Sequence, residues 1–130
     1  GGGAIVNIAS ISGQRGATGR GAYGVSKAGI IQLTKIMAVE FAEKKIRVNA
    51  VAPGPVQTAI TNHSPGTVEG YLSRIPMRQY ASPEAIGSAA LFLACDDSAF
   101  TTGHVLNVDG GFEAAGLMFP AEEIASTSDV

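Results

Sequence analysis

Three stretches of this 130-residue chain are near-continuously apolar and rich in β-formers: residues 4–9 (Ala-Ile-Val-Asn-Ile-Ala), 46–52 (Ile-Arg-Val-Asn-Ala-Val-Ala) and 104–109 (His-Val-Leu-Asn-Val-Asp). A strand with one wet face alternates apolar and polar side chains. These runs do not, which suits parallel strands covered on both faces. Helical segments separate them, and strands alternating with helices build an α/β sheet. The expected order is strand, helix, strand, helical loop, helix, strand. The first helix is expected over residues 22–44. Its stretch from Ile30 to Phe41 carries Ile30, Ile31, Leu33, Ile36, Met37, Val39 and Phe41, too many bulky apolar residues for one narrow stripe. Such a helix needs burial on two sides, so the sequence predicts the sheet on one and a partner subunit on the other, in a homodimer or homotetramer; the alternative cover is a second helix of the same complete chain.

The later segments are marked by their breakers. Ser82-Pro83-Glu84 reads as an N-cap, a proline at the first helical position and an acid in the first turn. That helix should run to about residue 95, laying Ile86, Ala89, Ala90 and Leu93 on the sheet before the polar stop Asp96-Asp97-Ser98. Residues 59–81 are interrupted by Pro65, Gly66, Gly70 and Pro76, which suggests a short-helical lid. Residues 1–119 are read as one α/β unit. Residues 120–130, polar and without period, are read as a disordered tail.

Composition removes several classes of function. With 45% hydrophobic residues and a net charge of −2, the chain can build a core and lacks the basic excess of a nucleic-acid binder. Its nine Lys and Arg are scattered rather than clustered on a stripe. The single cysteine, Cys95, excludes an internal disulfide and reads as a small buried hydrophobe. His63 and His104 stand too far apart for a zinc motif and are expected to be solvated or packed. No apolar stretch approaches the ~20 residues that cross a bilayer, so a membrane role is not expected. With no basic and apolar leader at the start, the expected location is the cytoplasm.

Ser10, Tyr23 and Lys27 carry the candidate chemistry. Ser10 follows the first apolar run, while Tyr23 and Lys27 open the first helix four residues apart, on one face with Cβ atoms roughly 5–6 Å from each other. An ammonium at that range favours a phenolate, lowering a phenol pKa that starts near ~10 at about 1.4 kcal/mol per unit. A phenol moved toward working pH can give a proton to a carbonyl oxygen or take one from an alcohol. Tyr-x-x-x-Lys also arises by chance, and a tyrosine at a helix start is commonly a packing residue. Gly19 to Gly24 formally matches G-x-G-x-x-G, but residues 11–18 separate it from the strand that a dinucleotide fingerprint should follow directly. Pro53-Gly54-Pro55-Val56-Gln57-Thr58 is better placed, just beyond a strand end, where open parallel sheets hold ligands.

The stretches Ile5-Val6-Asn7-Ile8-Ala9-Ser10, Tyr23-Gly24-Val25-Ser26-Lys27-Ala28-Gly29, Arg47-Val48-Asn49-Ala50-Val51-Ala52-Pro53-Gly54 and Val108-Asp109-Gly110-Gly111, in that order and spacing, resemble the short-chain dehydrogenase/reductase family. The resemblance covers residues 3 to about 116. It implies the C-terminal part of a Rossmann-like doubly wound parallel sheet, NAD or NADP as cofactor, and interconversion of a secondary alcohol and a ketone. A sugar or polyol dehydrogenase and a 3-oxoacyl-carrier-protein reductase-like enzyme both remain open. By resemblance Tyr23 is the proton donor and acceptor, Lys27 holds the nicotinamide ribose, and Ser10 binds the substrate oxygen. Pro53 and Gly54 let the ring approach, the Val56 backbone meets the carboxamide, and Thr58 contacts the amide or phosphate side. Ser12 competes with Ser10, but the family's serine stands thirteen residues before its tyrosine, as Ser10 does before Tyr23. Residues 13–20 and 59–73 are expected to line the substrate pocket. The family's Gly-rich phosphate loop and its relay asparagine would lie upstream of Gly1, so the chain reads as a C-terminal half. The competing expectation is a catalytically inactive fragment that acts as an oligomerisation or scaffold module.

Overall fold

The apolar runs form parallel strands β1 (Gly3–Ile8), β2 (Ile46–Pro53) and β3 (Val105–Val108), in the order β1-β2-β3, in a computed structural model that describes residues 1–125. The register pairs Ile8 with Val51 and Val108 with Pro53, so the strands finish close together at one edge of the sheet. The helices are α1 (Gly21–Phe41), α2 (Pro65–Arg74), α3 (Pro83–Ala94) and a short α4 (Ala121–Ala125).

β2 shows why the runs are apolar without alternation. Val48, Asn49, Ala50, Val51 and Ala52 are all 0% exposed, and successive side chains point to opposite faces, so both faces are covered. On one, Ile30 and Ile31 of α1 pack against Ala9, Ala50 and Ala52. The other is left to α3, which packs on β1 and β2 and buries Leu93 completely. The start of α3 follows its sequence signal: the Ser82 hydroxyl accepts from Ala85 N–H at 3.3 Å and Pro83 begins the helix.

α1 starts one residue earlier than expected, and residues 42–44 tighten into a 3₁₀ turn. Lys45 then takes a left-handed conformation (φ 58°) that returns the chain into β2. Only the sheet side of α1 is covered, with Thr34 and Ala38 buried; Val25 and Val39 are 74% and 79% exposed on the rest of its surface. The helical segment expected in residues 59–81 is α2, capped by Ser64, whose hydroxyl accepts from Thr67 N–H at 3.4 Å. At the C-terminus, residues 121–125 are helical where disorder was expected, and the remainder of that expectation lies outside the described residues. Among the described residues no helix is long and apolar enough to cross a membrane, and no group of His, Cys, Asp or Glu could hold a metal ion.

The polar residues inside the second apolar run are clamps. Asn49 donates from Nδ2 to the Thr101 carbonyl and accepts from His104 N–H, both at 2.9 Å. Arg47 donates to the Ser98 hydroxyl and to the carbonyls of Cys95 and Thr101. Together they tie the loop before β3 to β2, satisfying groups that would otherwise be buried unpaired.

Candidate active site

The head of α1 reaches the end of β1 because two glycines permit it. A Cβ on Gly13 would lie 2.7 Å from the Lys27 carbonyl carbon and 2.8 Å from Ala28 N, and one on Gly24 would lie 3.0 Å from the Ser12 carbonyl oxygen. The 3₁₀ turn Ile11–Gly13 therefore sits directly against α1. Ser10 caps that turn, its Oγ accepting from Ser12 N–H at 3.1 Å, while its own hydroxyl proton has no acceptor among the described residues. Ser10 is 8% exposed and so held in place, with one donor to spare.

Ser10, Ser12 and Tyr23 line one cleft of about 320 Å³ at the carboxyl ends of β1 and β2. Pro53, Gly54, Pro55 and Val56 form its strand-end wall, and Arg20, Thr61, His63 and Tyr71 complete the lining with Ile11. Tyr23 is half-exposed, and its hydroxyl has no hydrogen-bond partner among the described residues. Lys27 lies behind it rather than in the lining: its Nζ donates to the Ile8 carbonyl at 3.0 Å and stands 5.7 Å from the centre of the Tyr23 ring. The last carbonyl of β1 thus fixes the ammonium beside the phenol. Both serines reach the cleft, but only the Ser10 oxygen is tethered by a hydrogen bond.

The loop after β2 is braced on two sides. Gly54 N–H donates to the Val108 carbonyl at 2.9 Å, and a Cβ at this position would stand 2.9 Å from Asp109 Cα, so only glycine fits against the turn that follows β3. Asp109 in turn accepts from Gly111 N–H and Glu113 N–H, both at 2.9 Å. Beyond it, Ala81 N–H donates to the Pro55 carbonyl and Gln57 N–H to the Ala81 carbonyl, each at 2.9 Å. These bonds flank Val56, whose own N–H has no acceptor among the described residues and whose carbonyl accepts from the Thr61 hydroxyl at 2.8 Å. Thr58 does not line the cleft. Its hydroxyl pairs with that of Thr61 at 2.8 Å, and Thr61 is the residue that faces inward.

Within the segments expected to line the pocket, the sequence did not single out His63 or Arg20. His63 is packed, stacking on Tyr71 at 5.5 Å and sharing a hydrogen bond from Nδ1 with the Tyr80 hydroxyl at 2.6 Å, yet it also lines the cleft. Arg20 donates from Nη2 to the Tyr71 hydroxyl at 3.0 Å, joining the head of α1 to α2. That bond raises the Arg20 pKa, with the field of Tyr71 acting the same way. Burial pushes the Tyr80 phenol up, and Tyr71 adds to the effect. Of the two segments expected to line the pocket, Arg20 represents residues 13–20, and Thr61, His63 and Tyr71 represent residues 59–73. No local pattern singles these four out, because α2 reaches the cleft only in the folded chain.

Residues 1–113 match the family model described as Enoyl-(Acyl carrier protein) reductase. The chain belongs to the short-chain dehydrogenase/reductase family. It is 46% identical over 110 residues to a 3-oxoacyl-[acyl-carrier-protein] reductase of Thermotoga maritima, covering 84% of this chain and 45% of that protein. A solved family structure from Agrobacterium tumefaciens with bound NADP superposes with a TM-score of 0.84 at 38% identity, covering 88% of this chain and 48% of the other. A 4-hydroxyisoleucine dehydrogenase complexed with NADH superposes with a TM-score of 0.79 at 36% identity, covering 87% and 47%. The chain therefore spans less than half the length of these family members.

Proposed function

We propose that this chain is the substrate-side half of an NAD- or NADP-dependent oxidoreductase that interconverts a secondary alcohol and a ketone, with Tyr23 as its general acid and base. One observation carries the reading. An unpartnered phenol and a tethered serine with a free proton share a cleft at the carboxyl ends of parallel strands, where such sheets bind ligands. In reduction Tyr23 gives its proton to the carbonyl oxygen while the Ser10 hydroxyl donates to the same oxygen as charge develops; oxidation reverses both. Lys27, held by the Ile8 carbonyl, supplies the positive charge that a transient phenolate needs.

The nicotinamide cofactor, when bound, supplies or accepts hydride. The donor set suits its nicotinamide end. Pro53 and Gly54 open the strand end, the Val56 N–H is free for a carboxamide oxygen, and Lys27 is the candidate for the ribose hydroxyls. Thr58 serves through Thr61, to which its hydroxyl is bonded. The described residues offer no matching cradle for the pyrophosphate end, because β1 leads into a 3₁₀ turn and a further loop rather than straight into a helix. Among substrate classes, a 3-oxoacyl thioester and a sugar or polyol both suit the reaction; a close relative's name supports the first. The exposed apolar side of α1 favours a homodimer or homotetramer, and by itself that side also suits a scaffold module without catalysis.

In the protein that carries this chain, Tyr23→Phe is expected to lower kcat by about 10²- to 10⁴-fold, the usual contribution of a positioned acid/base, with the circular dichroism spectrum unchanged. Turnover close to wild type would remove Tyr23 from the role.

A further inference from the structure

The cleft carries one permanent charge, and it is positive. Among the residues that line it, Arg20 is the only one ionised at every working pH, and none is an aspartate or glutamate. Arg20 has no carboxylate partner among the described residues, since the salt bridge found there joins Arg15 to Glu113. Its recorded bond uses one N–H, on Nη2, toward the Tyr71 hydroxyl. A guanidinium has five donors in a planar fork, so most of the fork is unspent.

A structural latch between α1 and α2 accounts for the Tyr71 bond but not for the charge, because a neutral amide could donate the same hydrogen bond. An arriving anion can take up the donors that the Tyr71 bond leaves on the fork. His63 adds a second polar contact to the same cleft. Its Nδ1 is engaged with the Tyr80 hydroxyl at 2.6 Å, which leaves Nε2 for a ligand.

We infer that Arg20 receives a carboxylate on the substrate, so that the molecule whose oxygen meets Tyr23 is a hydroxy acid or its oxo counterpart, an acidic member of the sugar or polyol class rather than a 3-oxoacyl thioester, which carries no carboxylate. This rests on the assignment of Tyr23 made above. Arg20 and Tyr23 stand three residues apart at the head of α1 and line the same cleft, which sets the acid group and the reacting oxygen within one small molecule's reach. The planar fork also fits phosphate, but a single cation balances one negative charge, and a phosphate monoester carries close to two.

Calorimetric titration of the protein that carries this chain, using cyclohexanecarboxylate, cyclohexanecarboxamide and inorganic phosphate, tests the inference without turnover. The carboxylate is expected to bind at least about tenfold more tightly than the amide, as a charge-assisted hydrogen bond requires. Arg20→Gln should erase that preference and Arg20→Lys should keep part of it. Tyr71→Phe, which breaks the latch and spares the charge, should retain it. Equal binding of carboxylate and amide overturns the inference. So does an acid preference that survives Arg20→Gln, its loss in Tyr71→Phe, or tighter binding of phosphate than of carboxylate. Failure here leaves the redox reading standing, whereas that reading falls separately if Tyr23→Phe keeps its turnover.

Discussion

Ser10 and Ser12 differ in what holds them. The Ser10 oxygen accepts the Ser12 backbone N–H at 3.1 Å, which restrains the rotamer and leaves the hydroxyl proton free to donate. The Ser12 hydroxyl has no such tether among the described residues. Preorganised donors are worth more than mobile ones at a developing oxyanion, and loss of one costs about 10²- to 10³-fold in kcat. Ser10→Ala is therefore expected to cost that much in steady-state assays of the protein that carries this chain, and Ser12→Ala less than tenfold by the same principle. The reverse order would reassign the serine. Lys27 belongs to the same scale: its bond to the Ile8 carbonyl makes the strand's last peptide group part of the site.

At the scale of elements, the site depends on how closely α1 rests on the turn Ile11–Gly13. Gly13 has ordinary backbone geometry, so it is needed for space rather than for a left-handed conformation, with the Lys27 carbonyl carbon 2.7 Å from where a Cβ would stand. Gly13→Ala must push helix and turn apart, moving Tyr23 and Lys27 away from Ser10. The expected result is a loss of about 1–3 kcal/mol in denaturant unfolding, as overpacking usually costs, together with a lower kcat. A variant as stable and active as wild type would show that the contact has room to give. The α2 segment is joined to this arrangement through Arg20 and Tyr71, 51 positions apart in sequence, with His63 stacked on Tyr71.

For the whole molecule, the sheet is covered on both faces at β2 while α1 keeps an apolar outer side, with Leu33 and Ile36 45% and 44% exposed beside Val25 and Val39. Contiguous exposed apolar surface marks an interaction site in a soluble domain. Val39 is 79% exposed in the single chain, so Val39→Glu should change monomer stability by no more than about 0.5 kcal/mol. If α1 is the pairing surface, the same substitution shifts the protein that carries this chain toward monomer in sedimentation velocity. Unchanged association would place the interface elsewhere.

Local chemistry was enough to make the three strands, the Ser82-Pro83 helix start and the shared face of Tyr23 and Lys27 readable from the chain, because apolar runs, caps and i,i+4 spacing act over a few residues, whereas Ser10 was joined to them by the family resemblance. It also made α1 recognisable to within a turn at its end, where Lys45 reverses the chain. Tertiary packing alone decided that Asn49 and Arg47 clamp a distant loop, that Thr61 rather than Thr58 faces the cleft, and which side chains of residues 13–20 and 59–73 reach it, Arg20 and His63 among them. Each of those outcomes turns on where a loop from elsewhere in the chain comes to rest, and that position is set by the packing of α2 and of the β3 approach against the sheet rather than by any neighbouring residue.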